Sequence, residues 1–321
     1  LTYEDFTKFF NDLNLANKSI FEMQNDISKL EREIAKEMFR NGIIVSELLI
    51  YGEGKETQVS MVLTMKEFSL TLIENIISKK VGYYMTLTEK NDIDEEKCYL
   101  SFKIACEYDA VFGLSIATKD GSVKSGDTRS VIRLKEDRFL VALSDGMGSG
   151  KTAEQISSTS LSLIETFYRA GLKEELILTT INKLLNINCE DTFTALDVAV
   201  INLKDCTSNF IKYGSPYGFI INSDGIKIVE GNTLPLGILD NLKPSVAKAP
   251  LKDGDIILLL TDGVSDSFGS SGEIIDFLRT LPALNPQTMS DSIIEKAIEK
   301  NNGKTNDDMT VLAVRVFKKA S

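Results

Sequence analysis

The chain has 321 residues, 43% hydrophobic and 26% charged, enough for one large domain or one domain with a smaller companion. Its net charge of −11, from 36 Lys and Arg against 47 Asp and Glu, argues against a nucleic-acid binder, which shows a basic face. It contains no histidine, which excludes His-based triads, His general bases and His metal ligands together.

Four cysteines, Cys98, Cys106, Cys189 and Cys206, are scattered without a CxxC pair and read as reduced thiols of a cytosolic domain. No stretch reaches the ~20 apolar residues of a membrane helix, and no secretory signal is present. The chain opens on Leu1 rather than Met, so a piece of a longer protein is expected.

Residues 5–40 read as helix. Met23, Ile27, Leu30, Ile34 and Met38 recur at helical spacing among charged residues, and Asn41-Gly42 is a stop signal. Such a stripe suits a helix packed on its own domain or a linker arm. Strands Ile43–Tyr51 and Val59–Thr64, a helix Glu67–Ser78, and strands Val81–Thr88 and Lys97–Cys106 follow, the last two split by an acidic loop Glu89–Glu96. This ββαββ-like segment carries no catalytic motif and reads as accessory or regulatory.

From Tyr108 onward, strands joined by tight turns alternate with blocks of helix. Strands are expected at Phe112–Thr118, Thr128–Arg133, Arg138–Ser144, Thr194–Leu203, Asn209–Tyr213, Gly218–Ile221, Ile226–Glu230, Asp255–Thr261 and Met309–Phe317. Helices are expected at Lys151–Ala170, Glu174–Leu185, Glu273–Thr280 and Met289–Lys300, the last capped by Thr288 with Asp291 three on. Short turns such as Asn222–Gly225 indicate antiparallel sheets, and the grouped helices indicate layers covering them, an α+β class.

Two apolar strands end in Asp145-Gly146 and Asp262-Gly263, and a third is opened by Asp307-Asp308. Asp127, eighteen residues before Asp145, returns to the same sheet edge if the segment between them is a hairpin. Each Asp-Gly alone is an ordinary turn. Together, Asp127, Asp145, Asp262 and Asp307 suggest a carboxylate cluster, which repels itself unless a cation intervenes. Hard oxygen ligands suit Mg²⁺ or Mn²⁺. Gly146, Gly148 and Gly150 let the backbone turn so that a carbonyl also reaches a metal.

The segment Asp145–Thr152 also looks like a phosphate-cradling P-loop, since it lies between a strand and a helix and ends in Gly-Lys-Thr. Its first position, six residues before Lys151, is Asp145 where that loop needs Gly, and a carboxylate there would face the phosphates. A nucleotide-binding ATPase therefore stands as an alternative, as does a catalytically inactive phosphatase-like module.

The motifs Ser125-Gly126-Asp127-Thr128, Ser144-Asp145-Gly146-Met147-Gly148, Thr261-Asp262-Gly263 and Asp307-Asp308-Met309-Thr310, in this order, resemble the metal-dependent protein phosphatase 2C (PPM) family, and most closely its bacterial sporulation branch. The resemblance covers residues 107–318 and implies a four-layer αββα sandwich, two antiparallel sheets flanked by helices. It implies two Mn²⁺ or Mg²⁺ ions bridged by Asp145, one completed by Asp262 and Asp307, the other by Asp127 and the Gly146 carbonyl. Asp308 stands where many relatives carry Asn, and neither Arg129 nor Arg133 is assigned to phosphate. The implied domains are a helical linker (1–42), a small regulatory segment (43–106) and the phosphatase domain (107–321). The implied activity is hydrolysis of phosphoserine or phosphothreonine by water activated between the ions. The implied partner is a small phosphorylated anti-sigma-factor antagonist whose dephosphorylation frees a sporulation sigma factor. A homodimer, and a membrane anchor upstream of this chain, fit the same picture.

Overall fold

The structure is a computed structural model, and it describes residues 26–64, 67–135, 137–146, 151–188, 193–239, 243–282 and 285–319. Expectations for residues 5–25, Met23 included, for Gly148 and Gly150, and for Cys189 lie outside these residues. The chain divides into two compact units between Ala105 and Cys106.

The first unit contains a helix over residues 26–40 (α1), strands β1 (Val45–Tyr51) and β2 (Gln58–Leu63), helix α2 (Leu70–Val81), and strands β3 (Met85–Asp92) and β4 (Cys98–Ile104). The four strands form one antiparallel sheet in the order β1-β2-β4-β3. Ile34 and Met38 of α1 pack into one core with Ile73 and Ile77 of α2 and Leu100 and Phe102 of β4. Glu31 Oε1 accepts the Ile50 amide at 2.9 Å, fastening α1 to β1. The stripe on α1 is therefore buried on its own unit.

Helix α2 starts three residues later than its sequence pattern suggests. Ser69 caps it, accepting the Leu72 amide at 3.3 Å, and Gly82 ends it at φ 83°. Strand β3 runs on through Asp92, into the stretch expected as loop, because it is the outer strand and its acidic side chains face water.

The second unit has two five-stranded antiparallel sheets. One joins β5 (Tyr108–Ala117), β10 (Gly218–Asn222), β11 (Gly225–Val229), β13 (Ile256–Leu260) and β14 (Met309–Lys318) in the order β11-β10-β13-β14-β5. The other joins β6 (Asp127–Leu134), β7 (Arg138–Gly146), β8 (Thr194–Asn202), β9 (Thr207–Tyr213) and β12 (Ser245–Pro250) in the order β12-β9-β8-β7-β6.

The strands read as nearly continuous apolar runs because both faces are covered. In β7, Val141 and Leu143 point between the sheets and meet Ile257, Leu259, Leu312 and Val314. Leu140 and Ala142 point outward, onto Ile164 of helix α3 (Lys151–Arg169) and Ile181 of helix α4 (Glu174–Asn188). The outer face of the other sheet, through Leu258, Leu260 and Val311, meets helices α5 (Asp262–Phe268), α6 (Ser271–Thr280) and α7 (Pro286–Lys300). The second unit is thus a four-layer αββα sandwich.

Two elements carry no sequence signal. Strand β12 is an exposed edge strand ending in Pro250, held by pairing to β9 rather than by burial. Helix α5 has only seven residues. Helix α7 begins at Pro286 with Asn285 as its cap, not at Thr288, since Asn285 Oδ1 accepts the Thr288 amide at 2.8 Å.

Helix α7 lies directly on β5 at Gly113. A Cβ there would sit 2.1 Å from the Gln287 nitrogen. Gln287 accepts the Leu114 amide at 3.0 Å and donates to the Leu114 carbonyl at 2.8 Å, and the Ser290 hydroxyl donates to the Gly113 carbonyl at 3.1 Å. Gly113→Ala should therefore lower stability by ~1–3 kcal/mol or more, as overpacking does. A thermal melt of the variant within 1 °C of the parent would contradict this packing.

Candidate metal centre

The hairpin β6–β7 places Asp127 directly opposite Asp145, and Asp145 opposite Ala195 of β8. These residues lie at one end of the sandwich. The facing sheet delivers Asp262 and Asp307 to the same end. Strand β13 runs out at Leu260 beside Val311 of β14, and the Thr261 amide bonds the Thr310 carbonyl at 3.1 Å. The glycine of Asp262-Gly263 serves this approach. A Cβ on Gly263 would lie 2.2 Å from the Asp308 carbonyl oxygen and 3.3 Å from the Asp307 Cβ. Only glycine lets α5 start against that backbone.

Asp127 is the deepest of the four acids, 6% exposed. Its Oδ2 accepts two hydroxyls from the facing sheet, Thr261 Oγ1 at 2.9 Å and Thr310 Oγ1 at 2.7 Å. Thr261 Oγ1 in turn accepts the Thr310 amide at 2.9 Å. The other oxygen, Oδ1, is buried without a partner. Asp145 is half-buried, whereas Asp262 and Asp307 stand exposed at the rim. The Asp145 carbonyl accepts Thr194 Oγ1 at 2.6 Å, and Gly146 ends β7, buried, opposite Thr194.

The threonines of Thr261-Asp262-Gly263 and Asp307-Asp308-Met309-Thr310 carry no role in the sequence reading. Their signal was a hydroxyl inside an apolar strand, beside an acid. Asp308 also gains a role. Its two oxygens accept the Lys119 amide at 2.8 Å and the Gly126 amide at 2.6 Å, which ties the start of β14 to the residue preceding Asp127. Asn could supply only one acceptor oxygen to those two amides. Of the two arginines, Arg129 is exposed two residues from Asp127, while Arg133 pairs with Asp109.

The electrostatics follow from this crowding. Burial raises the Asp127 carboxyl from 3.8 to about 6 even though two threonine hydroxyls pull it down, and Asp308 and Asp262 add to the rise. Burial, then the charges of Asp127, Asp262 and Asp307, push Asp145 up to about 8. Asp262 is exposed, yet the protein around it and the charge of Asp307 still raise it. The closeness of Asp145 and Asp262 adds to the rise of Asp145, as expected where two carboxylates compete for one proton.

Among the described residues, no three acidic or Cys side chains are arranged as a ligand set for one ion. Carboxylates that repel one another do not close on a point without a cation. The residues nonetheless fit divalent ions on two counts: the unpartnered buried oxygen of Asp127, and the protons that Asp127 and Asp145 retain against their ordinary tendency to ionise.

Both shifts are upward, so the folded chain binds more protons than the unfolded one between about pH 4 and pH 8. The stabilisation is complete below the ordinary carboxylate value and is lost as pH rises through 6 and then 8. The metal-free protein should melt at a lower temperature at pH 8 than at pH 5. Mn²⁺ should raise the melting temperature more at pH 8 than at pH 6 and should displace protons on binding. Calorimetry in buffers of different ionisation enthalpy checks both, and uptake with no proton release would contradict this electrostatic account.

Thr310→Val should weaken Mn²⁺ binding ~10–100-fold, the usual cost of removing a partner of a metal-ligating group. Equal affinity in parent and variant would mean that the Thr310 hydroxyl does not orient Asp127.

A family model described as "Stage II sporulation protein E (SpoIIE)" matches residues 135–317. Stage II sporulation protein E of Priestia megaterium is 31% identical over 227 residues, covering 68% of this chain and 38% of that protein. The same protein of Bacillus subtilis (strain 168) is 31% identical over 224 residues, 68% of this chain and 27% of its own length. The chain thus spans well under half the length of these relatives.

The solved structure of the PP2C phosphatase domain with a fragment of the regulatory domain of SpoIIE from Bacillus subtilis superposes with a TM-score of 0.70. It covers 98% of this chain and 99% of its own at 24% identity. The SpoIIE phosphatase domain alone superposes at 0.56, with 29% identity over 68% of this chain and 96% of its own. With the αββα sandwich and the carboxylates gathered at its end, these matches carry one conclusion: the chain belongs to the stage II sporulation protein E family and bears a PP2C-type phosphatase domain.

Proposed function

We propose that the second unit is a metal-dependent serine/threonine protein phosphatase and that Asp127, Asp145, Asp262, Asp307 and the Gly146 carbonyl hold two Mn²⁺ or Mg²⁺ ions. The observation that carries this reading is the Asp127 carboxylate, buried with one oxygen free, opposite Asp145 and next to the facing sheet's acids. When bound, such a pair of ions neutralises phosphoryl oxygens and lowers the pKa of water.

The chain's own residues do the rest. Thr261 and Thr310 fix the Asp127 carboxylate. Asp308 fixes the backbone leading to it, and Thr194 holds the carbonyl of Asp145. The acids run from a buried floor to an exposed rim, so a phosphorylated side chain on another protein can reach them from solvent. Arg129 is exposed two residues along the edge strand from Asp127 and on the same face, which supports it over Arg133 as the side chain that meets phosphate. With no histidine in the chain, no phosphohistidine step is open to it.

The family suggests a small phosphorylated anti-sigma-factor antagonist as substrate, release of a sporulation sigma factor as consequence, and the segment 43–106, with the helix before it, as regulatory. A membrane anchor outside this chain suits the same assignment. No helix among the described residues is long and apolar enough to cross a membrane.

The test is Mn²⁺-dependent release of phosphate from a phosphoserine protein substrate. Asp145→Asn should lower turnover by more than about 100-fold with the fold intact, since even outer partners of a metal cost ~10–100-fold. Lys151→Ala should stay within about threefold, because Asp145 stands where a phosphate-cradling loop needs Gly. Hydrolysis of ATP that is lost in Lys151→Ala, with no phosphatase activity in the parent chain, would favour the nucleotide-binding alternative instead.

A further inference from the structure

Lys212 and Asp197 form an ion pair in the interior, 1% and 2% exposed, with Nζ donating to Asp197 Oδ2 at 2.5 Å. The same ammonium donates to the Pro216 carbonyl at 2.7 Å, which ties down the turn after β9. The stem of Lys212 passes against Gly231, where a Cβ would lie 2.5 Å from the Lys212 Cβ. Removing two charges from water is costly, and an apolar pair of similar size would stabilise the fold as well or better. Stability alone therefore does not account for this pair.

Its position does. Leu143 pairs with Asp197 and Asp145 with Ala195, so Asp197 is the diagonal neighbour of Asp145 on the same face of the sheet. Diagonal neighbours lie ~7–8 Å apart, too far for direct contact between short side chains and right for one intervening water. A cavity of about 20 Å³ lies between them, bounded by Asp145, Asp197, Ser215, Thr261 and Asp262. A single water needs about 10–15 Å³ and two to four polar partners. Asp197 Oδ1 and Ser215 Oγ are both buried and without partners.

We propose that Asp197, anchored by Lys212, is a positioning residue that orients the Asp145–Asp262 carboxylates through one ordered water in this cavity, with Ser215 as the water's further partner. The inference rests on the divalent-ion reading of those carboxylates. Lys212 fixes Asp197 in one rotamer and fixes the turn carrying Ser215, so both partners of the water are set by one ammonium group.

The experiment is Mn²⁺ titration by calorimetry of the whole chain and of the double variant Asp197→Asn, Lys212→Gln, which removes both charges and keeps a polar side chain at each position. The Kd for Mn²⁺ should rise ~10–100-fold, while the melting temperature in chelator stays within a few degrees of the parent. At saturating Mn²⁺, kcat on a phosphopeptide should fall while KM holds. If the double variant does not fold, Ser215→Ala leaves the ion pair in place and should weaken Mn²⁺ binding in the same direction. An unchanged Kd in whichever variant folds overturns the positioning role alone. A parent chain that takes up no Mn²⁺ overturns the divalent-ion reading and this role with it.

Discussion

The mutual repulsion of four carboxylates at one end of a β-sandwich is the constraint around which the second unit is arranged. Asp127, Asp145, Asp262 and Asp307 come from two sheets and four strand ends, and the cation recorded against them among the described residues is Lys119, itself exposed, 3.7 Å from Asp307 at the rim. The crowding raises the carboxyls, Asp145 to about 8 and Asp127 to about 6, burial being the first cause in both. A protein that keeps such a group gives up stability near neutral pH unless a cation takes the protons' place.

The fold contains the repulsion by grading exposure and by distributing hydrogen bonds. Asp127 is held by hydroxyls from the opposite sheet, so the most buried charge is also a joint between the two sheets. Asp262 and Asp307 remain in water, where screening weakens their effect on each other. The approach of α5 to β14, possible only with glycine at Gly263, brings those two acids side by side. The carboxylates thus stand on strand and helix ends locked by a core on each side, which suits groups whose placement must not drift.

Beneath this surface lies a second tier of polar groups enclosed by apolar strands. Asp308 ties the start of β14 to the residue before Asp127, Thr194 ties β8 to the carbonyl of Asp145, and the Lys212–Asp197 pair anchors the turn beside the cavity. Each is a buried or half-buried polar group whose loss leaves its partner unsatisfied, so these positions tolerate little substitution. The first unit has its own core of α1, α2 and the four-stranded sheet.

Much of this was legible in the sequence, and the reason is periodicity. The strands flanking the acids are long, apolar and bounded by Asp-Gly, and a charge at the end of a buried strand has few places to go. The hairpin spacing between Asp127 and Asp145 was enough to expect them as neighbours. The sequence alone could not reveal groups whose meaning depends on what lies across the sandwich. Thr261 and Thr310 are unremarkable hydroxyls until Asp127 of the other sheet meets them, and Asp308 is a spare acid until the Lys119 and Gly126 amides reach it. Strand β12 and helix α5 were invisible because one is held only by its neighbour and the other is too short to show a period. Local pattern determined which residues form strands and which strand ends carry acids. Only the tertiary structure decided which acids are buried, which oxygens are left without partners, and that Lys212 lies one row below the site, because burial and pairing between distant segments exist only once the two sheets have closed on each other.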